Sequence, residues 1–240
     1  MGTSGWQYAD WRGELYQDAP VRRWLEHYAE TFPTVESNAA FYRLPTRETF
    51  EGWRDRTPDG FVMAVKASRY LTHVRRLREP AEPVARLMAA AGGLGGKLGP
   101  ILLQLPPTLP ADLGLLARCL ACFPEGVRVA VEPRHQSWWT TDLRAVLREH
   151  DAALCWADRR GRPITPLWRT TDWVYLRMHE GAASPWPEYG IAALRTWAGR
   201  IAAATENGDD AYVYFNNDPG GAAVRNARRF TGLPERVGGR

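Results

Sequence analysis

Eight short β-forming runs recur along the chain with room for a helix between most neighbours, and this alternation constrains the fold more than any other feature. The runs span residues 2–4, 34–38, 61–67, 101–105, 127–132, 153–157, 173–178 and 211–215. Between them, apolar residues return at helical spacing: Val21, Trp24, Leu25 and Tyr28; Leu143, Val146 and Leu147 behind Thr140 and Thr141; Ile191, Leu194 and Trp197. Such i, i+3, i+4 patterns predict amphipathic helices. The connection over residues 159–171 carries Pro163 and Pro166 and is too broken for a full helix, so a short or missing one is expected there.

Strands alternating with helices imply parallel pairing with right-handed crossovers. Eight such units in 240 residues predict an α/β fold, a TIM-type (β/α)8 barrel forming one domain over residues 1–240. A doubly wound open sheet fits less well, because no glycine fingerprint follows the first run. With 45% hydrophobic and 24% charged residues the chain falls in the ordinary globular range. It has no apolar run of 18 residues and no signal-peptide pattern, and its three cysteines suit a reducing compartment, so the expectation is a cytoplasmic protein without membrane contact. A net charge of +4 permits an anionic partner without requiring one.

In such barrels function collects where strands end and the loops to the next helix begin. Alternation along each strand sorts the side chains. Val35 faces outward, Glu36 and Asn38 inward; Met63 and Val65 outward, Lys66 and Ser68 inward; Val129 and Val131 outward, Glu132 and Arg134 inward. Gln104, Arg177, His179 and Asn216 fall on the inward parity as well, with Asp218 just beyond. Six strands thus deliver polar groups to one mouth.

The residues that build this mouth also carry a resemblance. Gly2-Thr3-Ser4-Gly5-Trp6, Val35-Glu36-x-Asn38-x-x-Phe41-Tyr42-Arg43-Leu44-Pro45, Val65-Lys66-Ala67-Ser68-Arg69, Thr72-His73, Gln104-Leu105-Pro106-Pro107, Val131-Glu132-x-Arg134-His135-x-Ser137-Trp138, Arg177-x-His179 and Tyr214-Phe215-Asn216-Asn217-Asp218 resemble the DUF72 (YecE-like) family. The resemblance runs from residue 2 to about residue 230 and implies a TIM-type barrel. It supplies no reaction.

Glu132 and Glu36 are the leading acid–base candidates, and the bland alternative is a set of salt bridges to Lys66 or Arg177. His179, beside Arg177, could shuttle protons, while His73 and His135 have less claim. Lys66 could neutralise an anion, or form a Schiff base if its pKa were lowered. Neighbouring carboxylates would raise that pKa, so anion contact or ion pairing is the expectation. Arg134 and Arg177 would hold negative charge; Gln104, Asn38 and Asn216 would orient a substrate, with Arg69 and His73 at the rim. Trp6, Trp11, Trp138, Trp139 and Trp186 fall in or beside the upper loops, where exposed rings could stack on sugars or bases, Trp6 and Trp138 above all.

Glu36, Glu132, His179 and Asp218 are the right types for a divalent metal, but Lys66, Arg134 and Arg177 oppose a dication, so no metal or other cofactor is expected. Cys119 and Cys122 have CxxC spacing without a second pair and read as helix packing. Gly92–Lys97 reads as a bottom-face turn. Charge sorts by face: Arg69, Arg75, Arg76, Arg78, Arg134, Arg159, Arg160 and Arg162 fall in upper loops. Asp59, Glu125, Asp151, Glu206, Asp209 and Asp210 fall below, offset by Arg56 and Lys97.

The reading is an enzyme with hydrolase-like acid–base chemistry on an anionic, phosphate-bearing substrate such as a nucleotide or nucleic acid. The alternatives are a carbohydrate-active enzyme using paired carboxylates and a nucleic-acid-binding module without catalysis.

Overall fold

All eight expected runs form parallel strands of one barrel. In the computed structural model, which describes residues 1–205 and 209–233, the strands are β1 (Gly2–Thr3), β2 (Thr34–Ser37), β3 (Val62–Lys66), β4 (Leu98–Gln104), β5 (Val129–Glu132), β6 (Ala152–Arg159), β7 (Arg162–Pro163), β8 (Val174–Met178) and β9 (Ala211–Phe215). The sheet order is β1-β9-β8-β6-β5-β4-β3-β2, with β7 attached to β6 outside the barrel path. The cylinder closes where Ser4 bridges Glu36 in parallel register and the Gly5 amide donates to the Glu36 carbonyl at 2.8 Å.

Helices α1 (Trp24–Thr31), α2 (Ala39–Tyr42), α3 (Arg47–Asp55), α4 (Ala81–Ala91), α5 (Leu113–Leu120), α6 (Thr141–Glu149), α7 (Ile191–Ala204) and α8 (Ala222–Thr231) occupy the crossovers. Side-chain caps set several starts: Thr140 accepts from the Leu143 amide at 3.1 Å, and Asp112 from the Leu115 amide at 2.9 Å. Among the described residues no helix joins β6 to β8. Arg160 and Gly161 both take positive φ, the requirement of a two-residue hairpin turn, and fold β7 back antiparallel on β6. The rest of this connection is tied down by threonines. Thr165 accepts from the Ala157 amide at 3.0 Å, and Thr170 accepts from the Leu154 amide at 2.9 Å.

β4 starts at Leu98, earlier than its apolar run implies. Gly99 permits this, because a Cβ there would lie 2.6 Å from Val62 Cγ1 on β3.

Strand parity divides the interior in two. Val35, Met63, Val65, Ile101, Leu103, Val129, Val131, Leu176 and Val213 face outward into the layer beneath the helices. Ala64, Leu102, Ala130, Ala153, Cys155, Tyr175 and Tyr214 fill the lumen and form a packed floor. Cys119 is buried in α5 and Cys122 bonds back to the Arg118 carbonyl at 3.2 Å, so the pair serves packing. Leu102 has no exposed surface; Leu102→Ala should cost about 2–5 kcal/mol in urea unfolding, and a loss well below this would mean that the lumen is loosely filled.

Candidate functional site

Directly above the lumen floor lies an ion-pair cluster made by three strand ends. Arg177 leaves the end of β8 with 2% of its side chain exposed and reaches two carboxylates at once. Its Nη2 donates to Glu36 Oε1 of β2 at 2.8 Å, and its Nη1 donates to Glu132 Oε2 of β5 at 2.8 Å. The second Glu36 oxygen accepts from the Tyr175 hydroxyl at 2.7 Å. The second Glu132 oxygen accepts from His179 Nε2 at 2.8 Å and from Arg134 Nη2 at 3.1 Å. Both carboxylates are at most 1% exposed.

This wiring fixes protonation. Burial alone would raise the Glu132 carboxyl, but Arg177, His179 and Arg134 outweigh it and hold the group well below the usual carboxylate range. Burial lowers His179 despite the attraction of Glu132. His179 Nδ1 faces the Asn216 amide nitrogen at 3.1 Å, which matches a neutral ring with its proton on Nε2.

Lys66 departs from the expectation drawn from the sequence. Arg177 has taken both carboxylates, and Lys66 makes no hydrogen bond or ion pair with them. Burial and the Arg177 charge then lower its amine to about 8. Its Nζ lies 3.9 Å from the centre of the Phe41 ring.

The remaining candidates divide. Asn38 keeps a buried carbonyl oxygen without a partner among the described residues, as do the Ser4 hydroxyl and Asp218 Oδ1. These acceptors sit on neighbouring strand ends, and burial together with Glu36 raises Asp218 to about 7. Gln104 is buried beside Glu132, its amide donating to the Leu105 carbonyl at 3.2 Å. His73 packs edge-on against Phe41 and lies 2.9 Å from the Thr72 hydroxyl. His135 accepts from the Ser137 amide at 3.2 Å, a local capping role. Arg69 is exposed at the rim.

Two stacking candidates need correction. Trp138 has no exposed surface and donates to the Leu109 carbonyl at 2.8 Å, pinning its loop. Trp6 is 4% exposed and meets Trp53 edge-on at 5.2 Å. Neither offers a ring face to a ligand, and Trp11 is equally buried. Parity places Tyr175 inward without showing its role; its position two residues before Arg177 is the available signal. Phe41, set by the short α2, has no such periodic signal.

The charge separation is milder than the residue count by face suggests. On the upper face Arg75 pairs with Glu79, and Arg159 and Arg160 pair with Glu180. Below, Arg128 pairs with Asp210 and Arg169 with Asp209 at 2.6 Å; Glu206 lies outside the described residues. At the mouth itself Lys66, Arg134 and Arg177 face Glu36 and Glu132, three cations to two anions. Two cavities flank it. One of about 690 Å³ is lined by His179, Asn216, Asn217, Arg160 and Gly181; the other, about 400 Å³, by Phe41, Tyr42, Ser68, Arg69 and Tyr70.

Fold and site together define a TIM-type barrel protein with its polar cluster at the carboxyl ends of the strands. The family described as "Protein of unknown function DUF72" matches residues 1–237, and the chain belongs to it. The UPF0759 protein YunF of Bacillus subtilis is 24% identical over 266 residues, covering 97% of this chain and 93% of YunF. The crystal structure of the DUF72 family protein TM1631 from Thermotoga maritima is 26% identical with a TM-score of 0.83, covering 96% of each chain. That of EF0366 from Enterococcus faecalis is 19% identical with a TM-score of 0.81, covering 97% of this chain and 95% of the other. No helix among the described residues is long and apolar enough to cross a membrane.

Arg177→Met should cost about 3–5 kcal/mol in urea unfolding, because it strands two buried carboxylates. Changing Glu36 and Glu132 to Gln in that background should recover most of the loss. The depressed Glu132 pKa gives a sign as well. Its contribution is present above the ordinary carboxylate pKa and drains away as pH falls below about 4.5, so the wild type should lose stability steeply on the acid side. Equal acid sensitivity in Glu132→Gln would contradict this.

Proposed function

We propose that this barrel is an enzyme of acid–base chemistry acting on a small phosphate-bearing substrate, a nucleotide being the kind that suits the mouth. The observation that carries the reading is the positive excess, which Asp218 with its pKa of about 7 offsets only in part: once Arg177 is spent on Glu36 and Glu132, Lys66 has no carboxylate of its own and Arg134 remains 38% exposed. Arg69 extends the positive rim. Phosphate oxygens are the ligand that compact and forked cations of this kind receive.

In this reading the two carboxylates are positioning groups. Glu132 fixes the His179 ring and its tautomer, and the Nδ1 lone pair, which accepts from the Asn216 amide in the resting site, is freed beside the larger cavity when that amide turns to a substrate. The proton-transfer group is therefore His179, with Asn216 and Asn38 orienting the substrate. Cavities of about 690 and 400 Å³ lie in the range that holds small molecules. Glycoside chemistry on paired carboxylates is disfavoured, since it needs an open cleft between the two acids. Here one arginine bridges them below the surface.

Calorimetry with inorganic phosphate and with a mononucleotide tests the binding half. Binding should weaken with salt, and Lys66→Met should reduce affinity by about tenfold, on the order of 1.4 kcal/mol. Absence of binding to both at low salt would remove the phosphate reading. For the chemistry, His179→Asn should lower turnover of a phosphate ester by about 100-fold or more while leaving phosphate affinity nearly unchanged. Full binding by a protein that turns over no phosphate ester would favour a non-catalytic module.

A further inference from the structure

Of the 31 lysine and arginine residues only two are lysines, Lys66 and Lys97. Lys97 serves the fold. Its ammonium donates to the Arg54 carbonyl at 2.7 Å and to the Thr57 carbonyl at 2.6 Å, capping the end of α3. Lys66 has none of this. It stands at the carboxyl end of β3, 9% exposed, with its Nζ over the Phe41 ring and no hydrogen bond or ion pair among the described residues. The acids that would capture it, Glu36 and Glu132, are both held by Arg177 at 2.8 Å. A chain whose ion pairs among the described residues are built on arginine and histidine has placed at this mouth a primary amine that can lose its proton and become a nucleophile.

We propose that Lys66 is a covalent amine, condensing with the carbonyl carbon of an aldehyde or ketone substrate that also bears a phosphate. The phosphate half of this assignment rests on the function proposed above; the amine half does not. The Nζ lone pair forms the C–N bond while the carbonyl π pair moves to oxygen, which takes up the proton lost by nitrogen. The proton that the ammonium gave up to become the attacking amine, returned by way of His73, lets that hydroxyl depart as water and leaves the iminium, so carbonyl and ammonium become iminium and water in balance.

The surroundings suit the step. Burial and Arg177 lower the amine to about 8 against the pull of Glu36 and Glu132, with Arg134 adding to the lowering. About a tenth of the side chains are then neutral at pH 7. His73, edge-on to the same Phe41 ring, is kept neutral by burial and by the charges of Lys66, Arg69 and Arg134, and stands as a nearby proton acceptor. Arg134 and Arg69 hold the phosphate, and the charge of Lys66, which the iminium keeps, adds to theirs.

Pyridoxal 5′-phosphate and pyridoxal serve as probe aldehydes, one with phosphate and one without. Each is incubated with the full chain and reduced with borohydride, and the modified peptides are located by mass spectrometry. With two lysines and the Met1 amine as the candidate sites, the map is unambiguous. The phosphorylated probe should label Lys66 about tenfold or more over Lys97 and Met1, and over pyridoxal at Lys66. Label spread evenly, or confined to Lys97 and Met1, overturns the proposal whatever calorimetry says of phosphate. Equal labelling of Lys66 by both probes overturns its phosphate half and leaves the amine standing. Lys66→Arg separates charge from chemistry: labelling at this peptide should vanish while inorganic phosphate still binds within about threefold. Total incorporation into the chain left unchanged by Lys66→Arg would overturn the proposal, since the label would then sit elsewhere.

Discussion

One buried guanidinium organises the mouth of this barrel. Arg177 rises from the lumen into a space that Glu36 and Glu132 enter from β2 and β5, and it answers both with charge-assisted hydrogen bonds of 2.8 Å. Burying three charges is costly, and such an arrangement gives little net stability over a well-packed apolar core. What it does provide is definition. Three strands far apart in sequence are braced to one another at the level where the chemistry sits, over a packed floor that includes Tyr175 and Tyr214.

The same bridge decides which groups remain for other work. Glu36 and Glu132 have every oxygen engaged, so they orient neighbours instead of exchanging protons with a substrate. His179 inherits a fixed tautomer from Glu132, and Lys66 inherits an environment without a carboxylate partner. A cation at a buried site ordinarily gains an acid; here the acids are already claimed. Burial lowers the amine at Lys66 first and the Arg177 charge adds to it; the positive excess at the mouth follows from the prior commitment of the two acids.

Much of this is legible in the residues themselves. Period-two sorting places Glu36, Lys66, Glu132, Arg177 and His179 on the inward face, and the packed lumen agrees with that parity strand by strand. Pro163 and Pro166 mark the crossover that lacks a helix. Pairing is not legible, because parity says which way a side chain points and not which neighbour reaches it first; Lys66 therefore reads as a partner for Glu132 when Arg177 is the nearer claimant. Trp6 and Trp138 mislead for a related reason. A tryptophan in a strand-to-helix loop has the same sequence signature whether its ring faces solvent or anchors the loop, and here Trp138 spends its indole proton on Leu109. The face-by-face charge count likewise misses Arg128 and Arg169, which lie beside the lower acids.

The dependence of Lys66 on Arg177 can be read directly. Carbon-13 labelling of the lysine ε positions gives two resonances in this chain, from Lys66 and Lys97, and a pH titration followed by NMR reports each. The account requires Lys66 to titrate near 8 in the wild type and to move upward in Arg177→Met, where Glu36 and Glu132 are released toward it. A wild-type Lys66 that titrates at the ordinary lysine value of about 10.4, unchanged by Arg177→Met, would contradict it.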